Sequence, residues 1–111
     1  MKISNFPTYV VLEDDQSDVK NFASFISDQV TNKFKGQNVV IDLLKYDNLK
    51  LDELLLFLST SDAHRKNKNS FVIVNDCINI DDIPAELIVV PTLQEAGDIV
   101  EMEEIERDLG F

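Results

Sequence analysis

Residues able to do chemistry are few in this chain and lie far apart. It has one histidine, His64, and one cysteine, Cys77. A hydrolytic zinc centre needs several His, Cys or carboxylate ligands at set spacings, and these two do not begin such a set. His64 falls in the polar, basic run His64-Arg65-Lys66-Asn67-Lys68, where a solvated surface side chain is expected. Serine or cysteine nucleophiles need a base within reach, and neither His64 nor Cys77 sits in a recognisable triad context. Gly36, Gly97 and Gly110 are the only glycines, too scattered to build a P-loop or a dinucleotide fingerprint. Asp76, Asp81 and Asp82 cluster as in a calcium loop but lack its central glycine and closing glutamate. Asp52 and Glu53 are adjacent carboxylates, yet neighbours on a helix point about 100° apart, so they suit the positive end of a helix dipole better than paired acid/base work. The chain is therefore expected to bind rather than to catalyse, without metal or cofactor.

The elements that carry these residues centre on Asn38 to Asn75. Asn38-Val39-Val40-Ile41-Asp42-Leu43 and Ser70-Phe71-Val72-Ile73-Val74-Asn75 are β-branched apolar runs expected to form buried strands. A helix from about residue 51 to 66 joins them, which suggests a parallel pair in a right-handed crossover, covered on both faces. Upstream, Lys2 to Asn5 and Tyr9 to Glu13 flank Phe6-Pro7-Thr8 as an edge hairpin. Ser17 is the expected N-cap of a helix that buries Val19, Phe22, Ala23, Phe25, Ile26, Val30 and Phe34, with Gly36 as its left-handed C-cap. Leu54 to Leu58 make the second helix apolar almost all round, which calls for deep burial within the domain, the commoner case, or for a second protein surface. Asp76 to Leu87 has room for one helical turn, and Leu87 to Val90 is a further buried strand.

Thr92-Leu93-Gln94-Glu95 is a capping box that starts the last helix. There Leu93, Ala96 and Val100 share one face, whereas Met102, Ile105 and Leu109 lie roughly half a turn away. One straight helix on one sheet cannot bury both sets. Either it bends near Gly97, or its second half leaves the domain and offers an apolar stripe elsewhere.

At 111 residues the chain is expected to be one domain, 1–111, with 101–111 an acidic amphipathic tail. The lone cysteine, the lack of a charged-then-apolar leader and apolar runs far short of the ~20 residues that span a bilayer point to the cytoplasm. The formal net charge is −11, the wrong sign for nucleic acid or an anionic membrane. The basic run at His64 to Lys68 complements a helix C-terminus. Residues 92–111 hold seven acidic side chains against Arg107 alone.

This order of elements resembles the STAS domain, the fold of bacterial anti-sigma factor antagonists. The resemblance covers nearly the whole chain and rests on Asn38 to Leu43, on His64 to Asn75, and on Pro91-Thr92-Leu93-Gln94-Glu95-Ala96. It implies an α/β fold with a mixed four- to five-stranded sheet and helices packed on it. Partner-switching members carry a phosphorylatable serine at the start of the second helix. Here the matching stretch, Lys50-Leu51-Asp52-Glu53, has no hydroxyl, and Asp52 supplies only a fixed carboxylate without the charge and third oxygen of a phosphate. The chain is similar, more narrowly, to a small bacterial subgroup that shares its Glu101 to Phe111 tail and often carries the label ribonuclease Z. That enzyme resembles other metallo-β-lactamases in needing a histidine-rich dizinc motif, which one histidine does not supply.

The resemblance and the displaced stripe together imply a non-catalytic regulatory module that binds a protein. The expected contacts are Tyr46, Asp47, Asn48, Lys50 and Asp52 in the loop, and Met102, Ile105, Leu109 and Phe111 in the tail. The alternatives are a homodimer paired through the same stripe and, less favoured, ribonuclease chemistry. Deleting residues 101–111 is expected to leave the domain folded.

Overall fold

Alternation within three short β-branched runs decides the architecture. The computed structural model describes residues 1–110. Strand β1 (Lys2–Asn5) pairs antiparallel with β2 (Val10–Glu13), and β3 (Val39–Asp42), β4 (Phe71–Val74) and β5 (Ile88–Val90) follow in parallel, in spatial order β1-β2-β3-β4-β5. In this register Val10, Val39 and Phe71 form one row and Leu12, Ile41 and Ile73 another, all on one face. The intervening Val11, Val40 and Val72 point the other way, as the two-residue period of a strand requires. Two hydrophobic clusters result, one on each face.

The first face is covered by helix α1 (Val19–Thr31) and by the connection from β3 to β4. That connection is α2 (Leu51–Leu54), a 3-10 turn (Leu55–Phe57) and α3 (Leu58–Lys66). Ile78, Ile83 and Leu87, from the β4–β5 connection with its single 3-10 turn (Ile80–Asp82), join the same cluster. The second face is covered by one helix, α4 (Leu93–Asp108), through Ala96 and Val100. The expected mixed sheet is present with five strands. Its order never reverses, so it has none of the crevices that open where a doubly wound sheet changes direction.

Several local expectations are corrected. The N-cap of α1 is Asp18, not Ser17. Its carboxylate accepts from the Asn21 amide at 3.1 Å and the Asn21 side chain at 2.9 Å, and an anion there also opposes the dipole. Phe25 is exposed, because it projects beside the stripe of Phe22, Ile26 and Val30 rather than within it. Gly36 does adopt a left-handed backbone (φ +83°), but it closes a turn beyond the helix that tucks Phe34 into the core. The apolar centre of the second helix is split by the 3-10 turn. Leu54 and Phe57 are buried, while Leu55 and Leu56 stay exposed.

His64 overturns its expectation as a solvated side chain. It is buried, its Nε2 lies 2.5 Å from the Gln37 carbonyl, and its ring meets Phe71 edge-on at 6.2 Å. Only a donor can face that carbonyl, so the neutral ring carries its proton on Nε2. Burial holds the imidazole below its ordinary value, and the Gln37 carbonyl only partly offsets this. As pH falls from the ordinary histidine range, the unfolded chain takes up a proton that the folded one resists, so stability is full above that range and declines below it. We expect the urea midpoint to fall between pH 7.5 and pH 5.5, and the His64→Gln variant to show a shallower decline over the same window.

The Ser61 hydroxyl is buried in α3 without a hydrogen-bond partner among the described residues. Ser61→Ala removes an unpaired polar group and raises helix propensity, so chemical denaturation should find it more stable by about 0.5–1.5 kcal/mol.

Candidate functional site

The carboxyl ends of β2, β3 and β4 bring together Asp14, the turn at Leu43 to Asp47, and Asn75. Asp14 is buried, accepts from the Gln16 amide at 2.9 Å, and takes the Tyr46 hydroxyl on its other oxygen. Lys45 Nζ donates to the Asp14 and Gln16 carbonyls at 3.0 and 2.5 Å. Asn75 donates to the Leu43 and Tyr46 carbonyls at 2.9 and 3.1 Å and accepts from the Cys77 amide at 3.0 Å. Burial and the Asp14 carboxylate raise the Tyr46 phenol far above its ordinary range. Tyr46, expected as a contact residue, is half-buried, with its hydroxyl tied to Asp14.

The other loop candidates, Asp47, Asn48, Lys50 and Asp52, are exposed. Lys50 heads α2, where its amide donates to Glu53 Oε1 at 3.0 Å. Beside them Leu51, Leu55 and Leu56 are 37, 37 and 44 % exposed. A groove of about 580 Å³ separates this loop from the start of α1, between Asp18, Lys20, Tyr46, Asn48 and Glu53.

The last helix settles the choice posed by its two apolar sets. It runs unbroken from Leu93 to Asp108, with no bend needed at Gly97. Gly97 instead permits a close approach, since a Cβ there would lie 2.6 Å from the Tyr9 hydroxyl. Thr92 Oγ1 accepts from the Glu95 amide at 3.1 Å as expected. The Glu95 carboxylate, however, receives the Thr92 hydroxyl at 3.1 Å rather than the backbone amide.

Length sets where the second half of α4 lies. Sixteen helical residues reach about 24 Å, whereas a four-residue strand offers about 13 Å of apolar floor. The second half of α4 therefore overhangs the amino ends of the strands, where Asn38 and Ser70 wait. It does not leave the domain. Glu103 accepts from Ser70 Oγ at 2.6 Å and pairs with Arg65. Arg107 Nη2 reaches Glu104 at 3.0 Å, Ser70 Oγ at 3.1 Å and Asn38 Oδ1 at 3.3 Å. Asn38 is the hub: it donates to the Thr8 carbonyl at 2.9 Å and Glu104 at 2.6 Å, and accepts from the Ser70 amide at 2.7 Å. Its amide hydrogens and its carbonyl are thereby fully engaged. These bonds hold the Glu104 carboxyl below the usual carboxylate range.

With its polar side turned inward, α4 presents Met102, Ile105 and Leu109 to solvent, 51, 60 and 67 % exposed. Phe111 lies outside the described residues. The loop and the stripe, both expected to contact a partner, occupy opposite ends and opposite faces of the sheet. The clasp of Asn38, Ser70, Arg65, Glu103, Glu104 and Arg107 was not anticipated. Its signals were a polar residue directly before each of two buried parallel strands and one arginine within an acidic segment.

No protein-family model matches the chain, and no curated protein is significantly similar to it. Among the described residues, no helix is long and apolar enough to cross a membrane.

Truncation before Glu103 removes half the clasp and should unfold the domain more readily, contrary to the expectation from sequence. We expect Asn38→Ala, which leaves the buried Ser70 amide without its acceptor and removes the bonds to Thr8 and Glu104, to cost about 2–3 kcal/mol by urea unfolding, and the partly buried Arg107→Ala about 1 kcal/mol. The Glu104 contribution is present above the ordinary carboxylate range and is lost as pH falls through its lowered folded value.

Proposed function

We propose that this chain is a non-catalytic, STAS-like regulatory module of the cytoplasm that works by binding a protein. The observation that carries the reading is the exposed leucine group along α2 and the 3-10 turn that follows it. A domain with a ready core still leaves Leu51, Leu55 and Leu56 exposed, and the neighbouring Asp47, Asn48, Lys50 and Asp52 are exposed as well. An apolar centre with a polar rim is the usual composition of a docking surface. The loop behind it is held by Asp14, Lys45, Tyr46 and Asn75, and such bracing reduces the ordering cost of association. Because Lys50 to Glu53 offers no hydroxyl, phosphate does not gate this surface from within that stretch. The stripe on α4 supplies a second, separate surface.

A second reading, a homodimer joined through Met102, Ile105 and Leu109, has their exposure in its favour. Ribonuclease chemistry is the third. It requires bound zinc and cleavage of a transfer-RNA precursor by the purified chain, and metal analysis with that assay decides it.

The test of the leading reading is co-purification from the native cell with the tagged chain. A Leu51→Asp/Leu55→Asp double variant, checked for folding by circular dichroism, should lose the captured partner. Unchanged capture by this variant would remove the loop as the docking surface. Light scattering over a concentration series that returns a monomer mass throughout removes the dimer.

A further inference from the structure

The second half of α4 is amphipathic with its sides reversed: the charged residues face the sheet and the large apolar ones face out. At 100° per residue, Met102, Ile105 and Leu109 fall within about 60° of the helix circumference, opposite Ala96 and Val100. Glu101 and Asp108 border this stripe on one side, Glu95 and Glu106 on the other, and Asp98 sits at its N-terminal end. All five carboxylates are exposed, and none has an ion-pair partner among the described residues. The one cation of the helix, Arg107, is turned inward to Glu104, Ser70 and Asn38. Across the sheet edge Arg65 is likewise engaged with Glu103. The outer side of α4 is thus an apolar seam between two rows of carboxylates that form no ion pair among the described residues, with Lys68 the one further cation beside the groove that Glu106 lines.

We propose that this seam seats a cationic amphipathic helix of a partner protein. This rests on the reading of the chain as a protein-binding module and names the partner chemistry at its second surface. Three apolar side chains at i, i+3 and i+7 match the anchor spacing of a helix laid along a helix. The carboxylate rows call for Lys or Arg on both flanks of the incoming segment. A second copy of this chain has the opposite property, since pairing two stripes would bring five carboxylates from each side together. An anionic membrane surface is repelled for the same reason.

The probe is a designed Leu/Lys amphipathic helical peptide with one Trp, which reports binding by fluorescence because the chain contains no Trp. Controls are a Leu/Glu peptide with the same apolar positions and a scrambled Leu/Lys peptide of equal charge. The full chain should bind the amphipathic Leu/Lys peptide, less tightly as salt rises, and should bind the Leu/Glu peptide not at all. Ile105→Asp, at an exposed position that leaves the fold intact, should weaken binding by at least about tenfold. The Leu51→Asp/Leu55→Asp variant should bind the peptide as the parent does. Equal binding of the scrambled peptide, or an undiminished Ile105→Asp variant, overturns the proposal by reducing it to bulk charge attraction. A dimer in sedimentation that Ile105→Asp converts to monomer overturns it in favour of a second copy. Loss of peptide binding with partner capture still dependent on Leu51 and Leu55 would refute this seam alone. Peptide binding without such dependence would refute the loop surface alone.

Discussion

A parallel sheet buried on both faces must find an apolar cover for each, and here the second face has one helix to cover it. That helix is nearly twice as long as the strands beneath it. Its first turns lie on Val40, Val72 and Val74 and are packed through Ala96, Gly97 and Val100. Past the ends of those strands no apolar floor remains. What the helix meets there is the row of polar residues that introduce the strands, and its own pattern changes at the same point from apolar to charged. The match between the two changes lets a straight helix stay docked along its length.

The clasp that results ties distant parts of the chain through one residue. Asn38 joins the hairpin turn by way of Thr8, β4 by way of Ser70, and α4 by way of Glu104 and Arg107. A buried amide with every hydrogen-bonding position used is costly to replace, because the buried Ser70 amide among its partners would be left unsatisfied. Nearer the start of α4, Phe6 stacks on Tyr9 with ring centroids 4.9 Å apart, and Tyr9 fills the space that Gly97 leaves. The hairpin edge and the last helix are therefore coupled twice, once by hydrogen bonds and once by shape.

This arrangement separates the two exposed apolar groups. The leucines of α2 lie beyond the carboxyl ends of the strands on the face that carries α1 and α3. The α4 stripe lies over the amino ends on the opposite face. The two exposed groups therefore do not form one continuous surface. Their characters differ as well: the first mixes acidic, basic and amide side chains around leucine, whereas the second is flanked by carboxylates alone.

Much of the fold was legible in the residues because its signals are local. Two β-branched runs around a helical stretch specify a parallel pair, Pro7 marks the hairpin, and Thr92 with Glu95 marks the start of α4. Caps and periodicity act over a few residues and so depend little on the surroundings, although the cap of α1 is Asp18 rather than Ser17. The reversed pattern of Met102, Ile105 and Leu109 was equally visible, and it required that both apolar sets could not be buried at once. Which set would face the sheet, and whether the helix would bend or overhang, depended on where Asn38 and Ser70 stand relative to its end. His64 and Tyr46 belong to the same class. Their residue types suited the surface, yet the Gln37 carbonyl and the buried Asp14, distant in the chain, supply their partners. Only the tertiary structure could decide these, since a polar side chain is buried when the rest of the fold presents a matching acceptor or donor, and no local pattern encodes that partner.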